Sequence, residues 1–177
     1  MDRTDIAQAM QRVETVFRRH PSVALDVDSA ATAHWKGRTR VVSTHASGVN
    51  VVTDMPTEIG GTGDQVTPGW LLRAALASCA TTRIAMAAAA EGVELTALEV
   101  VASSRSDSRG LLGMSDEEGR LVFAGPKDVK LRVRIAATGR SPAQLRALVE
   151  GCDRFSPVTE ALRQAIPVVL SVEVDAG

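Results

Sequence analysis

The composition of the 177-residue chain predicts a globular protein of one domain or two small interlocked lobes. Hydrophobic residues make up 45% of the sequence and the formal net charge is −1, so no basic surface for nucleic acid is predicted. Only 3% of the residues are aromatic and none is tyrosine, which argues against platforms that stack on bases.

The beginning of the chain predicts an amphipathic helix over 4–19, because apolar residues recur at helical spacing from Ile6 to Phe17, just before Pro21. The stretch is too polar for a secretory leader. Two cysteines in the whole chain are more typical of free thiols in a reducing compartment than of a structural bridge. We therefore expect a cytoplasmic protein.

The segment after the first helix alternates and is rich in valine and threonine, which predicts strands near 23–28 and 31–44. A turn at 46–48 leads into a partner strand over Val49–Asp54. A glycine-rich loop over 55–66 follows. The N-terminal half of the chain therefore predicts a small antiparallel sheet.

A long, almost uncharged helix follows this loop. Thr67 is placed to cap the helix, and Pro68 occupies the first helical position, where its missing N–H costs nothing. The helix extends to Glu91, and Gly92 suits its C-terminal cap. Because the helix is apolar nearly all round, we predict that it is buried, and its two arginines and many small residues argue against a membrane span.

The rest of the chain alternates strands and short helices. The predicted elements are a strand at 95–104, a loop or partial hairpin at 108–127, a strand with one wet face at 129–135, helices opening at Ser141-Pro142 and Ser156-Pro157 and running to about 152 and 165, and a last strand at 168–174. The fold class is therefore α+β, with antiparallel sheets packed on helices. We divide the chain into an N-terminal helix over 1–20 and a single domain over 21–177.

Cys79 lies in the middle of the predicted central helix. A free cysteine in such a helix most commonly serves as a small buried hydrophobe. The alternative is a reactive thiolate, because Arg83 lies four residues further on and helical side chains lean toward the N-terminus, which brings its guanidinium within reach of the sulfur. The local pattern leaves both interpretations open.

The other chemistry-bearing residues have weaker local patterns. Ser156 precedes a proline, where a serine usually serves as a helix cap. The three histidines are scattered without ligand spacing, which argues against a zinc site. The glycines at 60–63 lack the lysine and hydroxyl residue of a phosphate-binding loop and are interpreted as turn formers. No metal or cofactor is predicted.

Three segments taken together resemble the OsmC/Ohr family, the osmotically inducible and organic-hydroperoxide-resistance proteins. They are GGTGDQVTPGWLLRAALASCATT from Gly60, SDSRGLLG from Ser106 and SPVTEALRQAIPVVLSVEV from Ser156. The likeness extends from about Ala31 to Val174 and leaves the N-terminal helix outside. It implies an OsmC-like fold, with antiparallel sheets around a long buried helix, in an intertwined homodimer whose active sites lie at the subunit interface.

In the peroxidases of this family, the resemblance implies, a helix cysteine attacks a hydroperoxide and becomes a sulfenic acid. A second cysteine then forms a disulfide with it, an arginine favours the thiolate, and a glutamate orients the arginine. On this chain Cys79 matches the attacking cysteine and Arg38 matches the arginine, with Arg40 as the alternative. Ser156 stands at the second cysteine position, so the usual disulfide is absent.

Two further positions depart from the family pattern. Gly69, beside Trp70, stands where the glutamate is expected. Cys152, four residues before Ser156, is the candidate to replace the second cysteine, provided that its Cα atom lies within about 7 Å of that of Cys79.

Two functions follow, and a third and simpler one remains. The first is thiol-dependent, peroxiredoxin-like reduction of organic or hydrogen peroxides in oxidative or osmotic stress defence. Cys79 attacks, Arg38 and Arg83 favour its thiolate, and Cys152 or an external thiol reduces it. The second is a non-catalytic dimer that binds a small apolar ligand at the subunit interface, in a pocket lined by Trp70 and Arg83. The third is a stress-associated dimer without chemistry. No nucleic acid or membrane partner is predicted.

Overall fold

The computed structural model describes residues 3–164 and 166–175. In chain order the elements are α1 (Arg3–Arg19), β1 (Thr32–Trp35), β2 (Val41–Thr44), β3 (Asn50–Thr53), α2 (Pro68–Ala90), β4 (Glu94–Arg105), α3 (Ser108–Leu111), β5 (Lys127–Thr138), α4 (Pro142–Asp153) and α5 (Pro157–Arg163). Short 3-10 turns cover Pro21–Ala24 and Thr57–Ile59. The predicted α+β class is confirmed, and both sheets are antiparallel.

The N-terminal sheet has the strand order β1-β2-β3. The single strand predicted over 31–44 is two strands, because the chain reverses between Trp35 and Val41, which face each other in the ladder. Arg38 lies in this reversal with a φ of 52°, and the Arg40 N–H donates to the Gly37 carbonyl at 3.0 Å. β3 pairs with β2 as predicted.

The strand predicted near 23–28 does not form. Pro21 starts a 3-10 turn, and the residues after it run on without a ladder partner. Leu25 and Val27 are 87% and 91% exposed. Alternating valines alone were a poor guide here, because a strand needs a neighbour to satisfy its backbone groups.

α2 forms as predicted at both ends. The Thr67 hydroxyl accepts the Trp70 N–H at 3.2 Å, and the chain leaves the helix through Gly92, whose φ is 64°. The predicted burial is confirmed only in part, since Ile84 and Ala88 in the second half are buried, whereas Trp70 in the first turn is 47% exposed. The fold of the chain therefore covers the C-terminal half of α2 and leaves much of the N-terminal half in contact with solvent.

Length and composition alone would let α2 cross a membrane, and it is the one helix of the described residues with that property. A core helix passes the same test, and α2 packs against β4, α4, α1 and α5. Two arginines within the helix add to the argument for a core helix.

The hydrophobic core lies between α2, α4 and the β4-β5 pair. Its buried members are Ile84, Ala87, Ala88, Val93, Leu145, Leu148 and Cys152. The strand pair supplies half-buried aliphatic side chains to the same cluster. α4 is oriented by a capping box in which the Ser141 hydroxyl accepts the Gln144 N–H and the Gln144 side chain accepts the Ser141 N–H.

The strand predicted at 168–174 is not formed in the structure of the single chain. Residues 166–175 are described outside any helix or ladder, and Val168 is 93% exposed. α5 begins after Ser156 as predicted and ends at Arg163; residue 165, where its end was predicted, lies outside the described residues. The missing strand has the same cause as the one near 23–28, since no edge strand of the described sheets pairs with it.

The loop over 55–66 is fastened to the sheet by Asp54, whose side chain is 1% exposed. The carboxylate accepts hydrogen bonds from the Thr39 hydroxyl at 2.5 Å, from the Thr62 hydroxyl at 2.7 Å and from the Met55 N–H at 2.8 Å. These hydrogen bonds, first those of Thr39 and Thr62, hold the pKa of Asp54 well below its usual range. Arg40 completes the cluster by contacting both Asp54 and Asp64.

Gly61 is required by the path of this loop. A Cβ atom built on residue 61 would lie 1.7 Å from the Met55 carbonyl oxygen, which no side chain can do. The Gly61 N–H donates to the Pro56 carbonyl at 3.0 Å, so the loop closes tightly on itself.

Candidate functional site

Cys79 and Ser156 meet at the point where α5 approaches the middle of α2. The Ser156 hydroxyl donates a hydrogen bond to the Cys79 sulfur at 3.3 Å. Hydrogen bonds to sulfur are longer than those to oxygen, so this is a full contact. Cys79 is partly exposed, whereas Ser156 is 1% exposed. The thiol that the sequence proposes as reactive is therefore hydrogen-bonded and belongs to a residue that is only partly buried.

Ser156 does not cap α5, contrary to the local prediction. No hydrogen bond joins its side chain to the first turn of the helix backbone. Its oxygen instead accepts a hydrogen bond from the Thr159 hydroxyl at 2.9 Å, and Thr159 is also buried. The contact with Cys79, which is 77 positions away in the sequence, explains why the local pattern was misleading.

Arg83 lies one turn beyond Cys79 on α2, but no hydrogen bond joins the two side chains in the described structure. The Nε atom of Arg83 is buried without a hydrogen-bond partner there, and its guanidinium carbon lies 5.7 Å from the centre of the Phe155 ring. Its positive charge acts on Cys152, where it partly opposes a rise in pKa. The predicted contact between Arg83 and the Cys79 sulfur is thus not made directly.

Cys152 belongs to the core. Its side chain is 4% exposed and donates a hydrogen bond to the Val149 carbonyl at 3.3 Å. Burial raises the pKa of the Cys152 thiol, which favours the neutral form. Both cysteines are free thiols, and Cys79 is not a member of the core cluster around Cys152. The structure thus gives the two thiols different environments.

Arg38 and Trp70 make no described hydrogen bond with Cys79 or Ser156. The Nε atom of Arg38 donates to the Gly60 carbonyl at 3.1 Å, and its side chain is exposed. Arg40, the alternative, is held in the Asp54 cluster. Trp70 lies at the exposed start of α2 and does not line the cleft described next.

A cleft of about 580 Å³ opens between α2, β5, α4 and α5. Aliphatic and aromatic side chains make up most of its wall, including Leu76, Ile84, Phe123, Leu131, Val133 and Leu162. Ser156, Thr159, Arg83 and Cys152 also line it, so the cleft reaches the hydroxyl that contacts the Cys79 sulfur. Arg163 stands at the same wall and pairs with Asp153 and Glu160.

Sequence reasoning missed Thr159 and Phe123. Thr159 had a usable signal, because it lies three residues after Ser156 and so on the same face of a helix. Phe123 had none, since it lies in an irregular segment whose position depends on the whole fold. Among residues 3–164 and 166–175, no group of three or more histidine, cysteine or acidic side chains is placed to hold a metal ion.

Comparison with known protein families identifies the family of this chain. The model of the OsmC-like protein family matches residues 61–171, which include α2, the Cys79–Ser156 contact and the cleft. The chain belongs to the OsmC family. α1 and the N-terminal sheet lie before the matched residues.

Solved OsmC structures share the fold. An OsmC-like protein from Mycoplasma pneumoniae superposes with a TM-score of 0.64 at 15% identity, covering 78% of this chain and 89% of that one. An OsmC-like protein of unknown function from Vibrio cholerae gives 0.61 at 15% identity, with 77% and 94% covered. An organic hydroperoxide resistance protein from Legionella pneumophila gives 0.54 at 23% identity, with 78% and 91% covered. No curated protein sequence matches the chain.

Proposed function

We propose that this OsmC-family protein reduces organic or hydrogen peroxides through Cys79, as part of peroxide defence. The hydrogen bond from Ser156 to the sulfur of Cys79, a partly exposed residue, is the observation that carries the proposal. A hydroxyl donor on a sulfur stabilises the thiolate, and the thiolate is the form that attacks peroxides. The hydroperoxide resistance proteins with the same fold add support at the level of the family.

The chemistry consists of two balanced steps. In the first, the Cys79 thiolate attacks one peroxide oxygen, the O–O bond breaks, and a proton joins the leaving oxygen to give an alcohol or water. Cys79 becomes a sulfenic acid. In the second, two thiol groups of a reductant return Cys79 to the thiol and release water, and the reductant leaves as a disulfide.

We propose that the reductant is an external dithiol. Ser156 occupies the place next to the Cys79 sulfur, and a hydroxyl cannot form a disulfide. Cys152 is buried, and its raised pKa keeps the thiol protonated. The S–H group already donates a hydrogen bond to the Val149 carbonyl. A protonated thiol is a poor nucleophile toward a sulfenic acid. The sequence-based alternative, reduction by Cys152, is therefore less well supported.

Guanidinium support for the thiolate is assigned to Arg83 within one protomer. Arg83 lies one turn from Cys79 and lines the same cleft as Ser156. Its buried Nε atom has no hydrogen-bond partner among the described residues. The role of Arg38 stays a prediction, since its guanidinium is bonded to the Gly60 carbonyl.

We further propose that the protein is a homodimer that works in the cytoplasm. Much of the N-terminal half of α2 is apolar and open to solvent, and the alternating segment 166–175 has no ladder partner. A second copy can cover both surfaces. Two free thiols are typical of a reducing compartment. Light scattering after gel filtration tests the dimer, and a monomeric mass across the micromolar range contradicts it.

Peroxide consumption by the purified protein tests the activity. Cumene hydroperoxide and a dithiol are supplied in excess, and the remaining hydroperoxide is followed over time. We expect the Cys79→Ser variant to lose at least about 100-fold in rate, because the attacking atom is gone. The Cys152→Ala variant serves as the matched control and should keep a rate within about twofold. Equal rates for wild type and Cys79→Ser would end the proposal.

The cleft favours a second candidate function, the binding of a small apolar ligand without turnover. Its volume and its mostly aliphatic wall suit a ligand of that kind. A thermal-shift screen with fatty acids and related apolar compounds tests the binding. Leu131→Asp, which places a charge in the wall, is the matched variant. A ligand whose stabilisation survives in Leu131→Asp does not occupy this cleft.

A further inference from the structure

Thr159, Ser156 and Cys79 form a chain of hydrogen bonds that points in one direction. The Thr159 hydroxyl lies 2.9 Å from the Ser156 oxygen, and the Ser156 hydroxyl lies 3.3 Å from the Cys79 sulfur. A thiolate can only accept hydrogen bonds, so when Cys79 is ionised the Ser156 proton must point at the sulfur. The Ser156 oxygen is then left to accept the proton of Thr159.

The surroundings keep this direction from reversing. Thr159 and Ser156 are 6% and 1% exposed, so water does not replace either hydroxyl partner freely. Ser156 makes no side-chain hydrogen bond with the backbone of α5, so its oxygen is available to Thr159. Hydrogen bonds in series polarise one another, and each member strengthens the next.

We propose that Thr159 is a positioning residue of the Cys79 site, which acts through Ser156 by aiming the serine hydroxyl at the sulfur. The proposal rests on the proposed function, since it concerns the reactivity of the same thiol. Thr159 does not touch the sulfur in the described contacts, and its effect passes through the serine oxygen. Without the threonine hydroxyl, the Ser156 proton is free to rotate toward other acceptors.

The charged side chains around the Thr159–Ser156–Cys79 hydrogen bonds are the same in the wild type and in the proposed variants. They are Arg83 on α2, Glu150 and Asp153 on α4 and Arg163 on α5, while β5 presents aliphatic side chains to the cleft. Their fields act equally on the wild type and on the variants of Thr159, so a difference between these proteins reports the hydroxyl chain.

The test is the pH profile of Cys79 alkylation by iodoacetamide, read by mass spectrometry on the peptide that contains Cys79. Thr159→Val keeps the volume and removes the hydroxyl, and Thr159→Ser restores the hydroxyl. We expect Thr159→Val to move the midpoint upward by about half a pH unit. One neutral hydrogen bond contributes a modest free energy, and only part of that energy stabilises the thiolate, because it acts through the serine. Thr159→Ser should return to the wild-type midpoint.

Thr82→Val serves as the control, since Thr82 is an exposed threonine on α2 close to Cys79 in sequence. Its midpoint should equal that of the wild type. Melting curves of all four proteins check the fold. Coinciding midpoints in folded Thr159→Val and wild type would overturn the proposal, as would a shift that Thr159→Ser fails to reverse.

The alkylation profile needs no peroxide, so the two proposals can fail separately. Absence of peroxide turnover, together with a shifted profile, removes the proposed function and leaves the positioning role of Thr159. Peroxide turnover together with unshifted midpoints does the reverse. Peroxide turnover that depends on Cys79, together with a shifted midpoint in Thr159→Val that Thr159→Ser reverses, supports both proposals.

Discussion

The two cysteines of this protein lie in regions with opposite properties. Cys79 is partly exposed and accepts a hydrogen bond from Ser156. Cys152 is buried among aliphatic side chains and donates a hydrogen bond to the Val149 carbonyl. Both lie on helices that meet in the same layer, so the difference comes from the immediate neighbours of each sulfur. A sulfur that accepts a hydrogen bond is prepared for ionisation, and one that donates is not.

The largest expected difference between the two regions is their oxidation by peroxide. One equivalent of hydrogen peroxide, followed by dimedone, should label the Cys79 peptide at least about tenfold more than the Cys152 peptide, because labelling follows thiolate character and exposure. Quantitative mass spectrometry of the two peptides gives the ratio. Equal labelling would show that burial does not protect Cys152.

A second change adds the missing disulfide partner beside Cys79. Ser156→Cys places a second sulfur where the hydroxyl now lies 3.3 Å from the Cys79 sulfur, so oxidation should yield a disulfide between residues 79 and 156. Non-reduced mass spectrometry after peroxide should show the loss of two hydrogens. Wild type treated in the same way should show no disulfide between Cys79 and Cys152, and its appearance would make Cys152 the resolving thiol.

A third change tests whether the stability of the fold and the alkylation rate of Cys79 are independent of each other. Asp54→Asn removes the carboxylate that fastens the 55–66 loop, and we expect the melting temperature at pH 7 to fall by several degrees. The pKa of Asp54 is lower in the folded than in the unfolded protein. Its contribution is therefore complete above about pH 4 and is lost as the pH falls further.

The gap in melting temperature between wild type and Asp54→Asn should accordingly narrow below pH 4. Calorimetry at pH 7, 4 and 3 measures it. The alkylation rate of Cys79 at pH 7, below the melting range of both proteins, should not change. A gap that widens on acidification would contradict the assigned charge state of Asp54.

The smallest expected effect concerns the buried cysteine. Cys152→Ala removes one sulfur atom from the core, and we expect a loss of about 1 kcal/mol in the free energy of unfolding. Urea denaturation gives this value, and the slope of the transition should not change. A loss of several kcal/mol would mean that Cys152 holds more of the core together than its contacts indicate.

The elements that the sequence predicts well are those whose signals are local. Thr67, Pro68 and Gly92 delimit α2, and the alternation around 129–135 matches β5, because caps and side-chain periodicity act within a few residues. The strands expected near 23–28 and at 168–174 fail for the opposite reason. A strand depends on a distant partner, and the alternation of its side chains says nothing about whether one exists.

At the candidate site, too, local signals were sufficient for some residues and not for others. Cys79 could be selected from the family motif, but its neighbours could not be placed from spacing. Ser156 has a sequence context typical of a cap and yet bonds to a residue on another helix. Arg83 has the right helical spacing, but its guanidinium lies beside the Phe155 ring. Side-chain direction within the fold decided each case.

The close approach of Met55 to Gly61 also has a consequence for engineering. Because even one methyl group on residue 61 would overlap a backbone oxygen, no rotamer or repacking can accommodate it. A library randomised at codon 61 and selected for soluble, folded protein should return a single amino acid. Gly60, its neighbour in the loop, has open space around a built Cβ atom, although its φ of 91° will disfavour most replacements.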